Sequence, residues 1–173
     1  MAKKFRLLLL DANIVIKLFA MGLWDQFLER CDVHLSRTIA DVEAHFFEDD
    51  EGQRHDFDLS SYEASGAVTV FDVTLAQDAE LTRHFGQAYL DRFDPGEREA
   101  LAHLVTSPDP YLICAADSIV FKVLGFLNRG EQGVSLEEIL EKTGCARRME
   151  WQFSKAFREK YTQDGFADKL QQS

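Results

Sequence analysis

Positive charge is in short supply. Nineteen Lys and Arg face 30 Asp and Glu, for a formal net charge of −11. Affinity for a phosphate backbone ordinarily comes from clustered cations that release counterions, so the chain as a whole is no passive polyanion binder. Acidity does not exclude an enzyme of phosphate esters, because carboxylates grouped to hold cations raise the negative count themselves. Most of the 30 acids are read simply as a solubilising surface. Cysteine is limited to Cys31, Cys114 and Cys145. An odd number without C-x-x-C spacing points to buried reduced thiols rather than a disulfide framework or a zinc site. His34, His45, His55, His84 and His103 show no H-x-H or H-x-x-x-H spacing, and no glycine-rich phosphate loop occurs.

Long apolar runs are missing as well. Lys3, Lys4 and Arg6 precede Leu7-Leu8-Leu9-Leu10 in the manner of a targeting signal, but Asp11 and Asn13 cut that run far below the length of a signal core or a membrane span. A soluble, cytoplasmic protein with no membrane partner is expected. Proline occurs three times, nothing is of low complexity, and no 20- to 50-residue period supports a solenoid or propeller. The 46% hydrophobic content, with 14 Phe, is that of a packed globule of about one domain in length.

Apolar runs that suit strands alternate with helical periodicities. Phe5 to Leu10 reads as a central strand covered on both faces, and Val33 to Leu35, Val68 to Val73 and Tyr111 to Ala115 as three more. Gly133 and Val134 can add a brief fifth. Ile14, Leu18 and Met21 lie about one helical turn apart, and Leu23 to Leu28 continues their character. Thr38 looks like the N-cap of a helix through Phe47, while the polar stretch Glu48 to Ser61 reads as an irregular excursion. Leu75 to Leu90 can be helical. Asp94-Pro95-Gly96-Glu97 has the form of a helix start, with the helix running to about Val105. Ile119, Val120, Val123, Leu124 and Leu127 mark a helical face after Asp117. Ser135-Leu136-Glu137-Glu138 fits a capping box, and Gly144 ends that helix.

The pattern predicts a three-layer α/β/α sandwich around a mostly parallel sheet, joined by right-handed crossovers. Residues 1–145 would form the domain, and residues 146–173 a carboxyl-terminal helical extension packed on it. Phe153, Phe157 and Tyr161 would be the buried stripe of that extension. From Arg147 to Tyr161 it carries five basic residues against two acids. Arg147, Arg148 and Arg158 are therefore candidates to face RNA or an acidic partner, with a purely packing helix the competing reading.

In such folds the ligand crevice lies beyond the carboxyl ends of the strands. Asp11 ends the first strand, and Asp117 follows the fourth by Ala115 and Ala116. A short Asp at a strand end suits a hard cation such as magnesium or manganese, although a lone Asp there ordinarily just caps the next helix. Glu43 sits in an otherwise apolar helical stretch between Val42 and Phe46, and Glu97 in the first turn after Asp94-Pro95. Each is explicable alone as a surface or capping residue. Four acids able to converge are harder to dismiss together.

In order and spacing these motifs resemble the PIN domain family. Leu7-Leu8-Leu9-Leu10-Asp11-Ala12-Asn13-Ile14 looks like its first strand and acidic residue, and Thr38-Ile39-Ala40-Asp41-Val42-Glu43 is similar to its second motif. Asp94-Pro95-Gly96-Glu97 and Leu112-Ile113-Cys114-Ala115-Ala116-Asp117 resemble the third and fourth. The resemblance implies a Mg2+- or Mn2+-dependent endoribonuclease, as in toxins of toxin–antitoxin pairs and RNA-processing factors. Asp11, Glu43, Glu97 and Asp117 would be its catalytic metal ligands, and Asn13 would support them from behind. Ser118, Ile119 and Val120 stand where many members carry a further acid, which bears on a second metal. RNA is the implied substrate, and an antitoxin-like protein partner and a homodimer stay open. The competing class is a catalytically weak PIN-like interaction or regulatory module. Asn13 cannot serve as the second acid of a phosphoaspartyl phosphohydrolase, and no Lys follows a later strand as in a receiver domain.

Overall fold

The computed structural model describes residues 3–9 and 11–172. Leu10, the last residue of the first expected strand, lies outside them. The fold is α/β, built on a five-stranded sheet in the order β5-β2-β1-β6-β7 in which every pairing is parallel. Its strands are β1 (Phe5–Leu9), β2 (Cys31–Ser36), β5 (Val68–Phe71), β6 (Leu112–Cys114) and β7 (Gly133–Val134). A separate antiparallel hairpin pairs β3 (Phe46–Glu48) with β4 (Arg54–Asp56).

Side-chain alternation along the strands divides the interior in two. Leu7, Val33, Leu35, Cys114 and Val134 join one buried cluster, Leu8 and Ile113 the other. Against the first pack α1 (Ala12–Ala20), α2 (Trp24–Arg30) and α8 (Leu136–Lys142), through Ile14, Phe27 and Ile139 among others. Against the second pack α4 (Leu75–His84), α5 (Gln87–Leu90), α6 (Pro95–Thr106) and α7 (Ser118–Phe126). Helices on both faces explain why β1 is apolar without alternation, an arrangement compatible with a three-layer sandwich.

Several local expectations need correction. The helix expected from Thr38 through Phe47 stops early. Residues 39–43 form a wide π-type turn closed by Ala44 N–H on the Ile39 carbonyl at 3.0 Å, and Phe46 and Phe47 enter the hairpin instead. Thr38 makes no capping bond through its own side chain. The irregular excursion expected from Glu48 to Ser61 holds strand β4 and the start of α3 (Ser60–Ala64). Its turn is fixed by Asp49, whose Oδ1 accepts the Glu51 and Gln53 amides, and by Gly52 at φ 76°. Gly22 at φ 66° separates α1 from α2. Extended backbone at Phe85 and Gly86 splits Leu75 to Leu90 into α4 and α5.

The carboxyl-terminal extension begins with a single turn, Trp151–Phe153, and continues as α9 (Lys155–Gln172). Phe153 is buried in the first cluster, whereas Phe157 and Tyr161 pack with the second. Helix α9 lies directly along α7, and glycine makes the approach possible. A Cβ on Gly125 would overlap the carbonyl oxygen of Thr162, and one on Gly165 that of Lys122. Backbone thus meets backbone at both sites. Among the described residues no helix is long and apolar enough to cross a membrane.

Forcing a branched side chain into this crossing must push the helices apart. Gly165→Val is expected to lower the unfolding free energy by about 2 kcal/mol or more. Gln163→Ala, exposed on the same helix, should change it by under about 0.5 kcal/mol. Urea denaturation of the two variants checks this, and equal midpoints would show that α9 does not depend on the crossing.

Candidate active site

Strand order reverses between β1 and β6, since the chain leaves β1 toward β2 and β5 and returns on the other side. A crevice opens where neighbouring connections diverge, beyond the carboxyl ends of those two strands. Asp11 and Asp117 stand at its two walls as the N-caps of α1 and α7. The beginning of α6 forms a third wall. Ser36, at the end of β2 and fully buried, reaches the Gly96 carbonyl at 3.4 Å, and Glu99 accepts both the amide and the hydroxyl of Thr38 at 3.2 and 2.7 Å. These bonds tie the first turn of α6 to the end of β2. Glu99 is thereby occupied by Thr38.

Every candidate carboxylate is held by backbone amides. Asp11 Oδ1 accepts the Asn13 amide at 2.8 Å and Oδ2 the Ala116 amide at 3.1 Å, so one side chain bridges the ends of β1 and β6. Asp117 accepts from Ile119 at 2.9 Å. Glu97 accepts the Asp94 amide at 3.1 Å within a reciprocal capping box. Glu43 Oε1 accepts the Gly96 amide at 3.1 Å. A Cβ at Gly96 would sit 2.6 Å from Glu43 Oε2 and 2.5 Å from Ile39 Cγ1, so a larger residue there would displace the Glu43 carboxylate or Ile39.

The electrostatics are adverse. Glu97 is only 3% exposed and Asp11 5%. Burial, then the negative charges of Asp117, Asp11 and Asp94, push the Glu97 carboxyl up to about 9, with the Asp94 amide opposing. Burial likewise raises Asp11 to about 6, its two amide partners offsetting part of the rise while Asp117 and Asp94 add to it. Burial, with Asp94 and Glu99 nearby, raises Glu43 above its ordinary value. The charges acting on Glu97 and Asp11 are all negative. Buried acids without a cation retain protons or acquire a counterion.

Asp11, Glu97 and Asp117 thus lie close enough to act on one another electrostatically, and Glu43 is tied to Gly96 in the first turn of α6. Asp94 is the acid missed in the sequence; its proline-flanked cap position was visible, but its closeness to the other carboxylates is a tertiary fact. As placed, no three His, Cys, Asp or Glu among the described residues form a group that could hold a metal ion. The donor chemistry nevertheless fits a hard cation, being oxygen only and uncompensated. Capping leaves room for it, since an ionised carboxylate offers about four acceptor sites and these bonds use one or two.

Asn13 is exposed in the first turn of α1 and supports Asp11 through its backbone amide. Arg147 and Arg148 are exposed beyond α8. Arg158 departs from its expected role. Its guanidinium is forked onto Glu138 at 2.7 and 2.8 Å with the side chain 15% exposed, so it joins α9 to α8 rather than facing a partner. Set against models of known families, curated proteins and solved structures, the chain matches none.

A carboxyl raised from 4.5 to about 9 on folding favours the folded state most below pH 4.5, and that advantage is lost as pH climbs through 9. Glu97→Gln keeps the acceptor for the Asp94 amide and removes the charge. In metal-free buffer it should stabilise the protein by on the order of a few kcal/mol at pH 8 and change little at pH 4. Urea unfolding at the two pH values decides; a gain of the same size at both would mean that Glu97 is not the titrating group.

Proposed function

We propose that this chain is a divalent-metal-dependent endoribonuclease of the PIN type, cleaving RNA phosphodiester bonds with magnesium or manganese. The observation that carries the reading is the burial of Glu97 beside the negative charges of Asp11 and Asp117, with no Lys or Arg side chain among the described residues paired to it. Such an arrangement lowers stability, and unfavourable burial of titratable groups in a crevice is characteristic of functional sites. The parallel sheet, with acids at the reversal point of its strand order, supports the family resemblance of the four sequence motifs.

Asp11, Asp117 and Glu97 would hold the cation, with Glu43 completing the set. A bound magnesium or manganese ion would neutralise charge on the scissile phosphate and ease deprotonation of the attacking water. The chain's own residues do the placing. The Asn13 and Ala116 amides fix the Asp11 carboxylate in orientation. Gly96 admits Glu43 to the same edge. Burial of Glu97 favours its neutral form, so a cation held there would compete with the proton and its affinity would rise with pH. Exposed Arg147 and Arg148 are available to an RNA backbone or an acidic antitoxin-like partner.

Purified protein should cleave single-stranded RNA with manganese and lose that activity in EDTA. Asp11→Asn should reduce the rate by on the order of 100-fold or more; the swap removes repulsion at constant size, but its carboxamide can accept only one of the two amides that Asp11 holds, so a cooperative melt of the variant is verified before its rate is read. Cleavage unaffected by EDTA or by Asp11→Asn sinks the proposal. RNA binding without cleavage would assign the chain instead to the interaction modules.

A further inference from the structure

Next to the carboxylates lies a groove of about 360 Å³. Two residues in its wall, Asn13 and Ala116, are those whose amides grip Asp11, so it opens directly beside that carboxylate. Its other walls come from distant parts of the chain. The β3–β4 hairpin supplies Phe47 and Glu48, the turn before α9 supplies Gln152 and Phe153, and α1 supplies Lys17. Phe153 is 5% exposed and forms an apolar floor. The plane of Phe47 is fixed by stacking on His55, with centroids 4.9 Å apart and 18° between rings. The Lys17 ammonium lies 5.5 Å from the Phe153 ring centroid and bonds Glu150 at 2.5 Å.

We propose that this groove is a nucleobase subsite, which seats the nucleotide next to the scissile phosphate and selects a base bearing an exocyclic amine. The proposal rests on the nuclease reading for its substrate. Its volume is at the lower end of small-molecule pockets, which suits one nucleotide and no duplex. Single-stranded RNA offers unstacked bases that aromatic side chains can receive. The carboxamides of Asn13 and Gln152 each present a donor and an acceptor to a base edge. Glu48 sets the choice among bases. Its carboxylate accepts from an amine such as that of cytosine and repels the carbonyl that replaces it in uracil.

Binding can be read apart from catalysis by titrating the full chain in EDTA with CMP, UMP and ribose 5-phosphate while following the side-chain amide resonances of Asn13 and Gln152. CMP should shift both resonances and bind about tenfold more tightly than UMP, and ribose 5-phosphate should shift neither. Glu48→Gln should remove the difference between CMP and UMP, because its amide can turn to meet either base. Gln152→Ala, at an exposed position, should weaken CMP several-fold without lowering the melting temperature. Equal binding of CMP and UMP, or no shift with either, overturns the subsite. If CMP binds as described yet RNA is not cleaved with manganese, the subsite stands and the nuclease reading falls. If RNA is cleaved while the amides stay unmoved, the reverse holds.

Discussion

Strand β1 has a parallel neighbour on each side and helices on each face, so only its ends can meet solvent. It is paired along its length with β2 and β6, and Leu7 and Leu8 are buried in two separate clusters. The first described residue beyond the strand on the carboxyl side is placed to carry the chemistry of that edge. Asp11 occupies the place, and the Ala116 amide draws it toward the end of β6. The crevice is therefore a consequence of strand order, and the acids around it hang on the same few backbone amides that begin α1, α6 and α7.

Those amides explain how the arrangement is tolerated. A helix start presents unpaired N–H groups and the positive end of the helix dipole, both favourable to an anion. Asp11, Asp94, Glu97 and Asp117 all sit at such starts. Yet for Glu97 this help is outweighed, because burial and three neighbouring carboxylates hold its proton well above neutral pH. Elsewhere the chain treats its acids differently. Asp78 pairs with Arg98, Glu63 with Arg37 and Glu138 with Arg158, each as a two-bonded fork. Among the described residues Glu97, like Asp11 and Glu43, is held by backbone amides and not by an arginine.

Features written in adjacent residues were legible in the sequence. The capping boxes at Asp94 and Ser135, the apolar runs of β1 and β6, and the stop at Gly144 depend on neighbours within a turn. The hairpin escaped because its strands are three residues each and set apart from the main sheet, too short for alternation to register. The break before α5 escaped because Phe85 is buried in a tertiary cluster that no local propensity records. The same division runs through the site. Asp11 and Asp117 follow recognisable strands, whereas the direction of Glu43 is set by the wide turn from Ile39 and by Gly96, fifty-three positions away. The role assigned to Arg158 failed for a related reason. A count of charge along the helix says nothing of Glu138, which faces it across the packing.

The carboxyl-terminal extension bears on the site through position rather than charge. Backbone contact at Gly125 and Gly165 fixes α9 along α7, and the fork of Arg158 on Glu138 fixes it to α8. With the helix held at these points, the turn preceding it has little freedom, and Phe153 is anchored in the cluster beneath α1. Gln152 is thereby delivered to the groove beside Asp11 from a part of the chain far removed in sequence. A helix that only covered the second face would need neither close glycine contact nor a turn crossing to the first. That the extension spans both faces and ends one wall of the groove ties its packing to the edge where the acids lie.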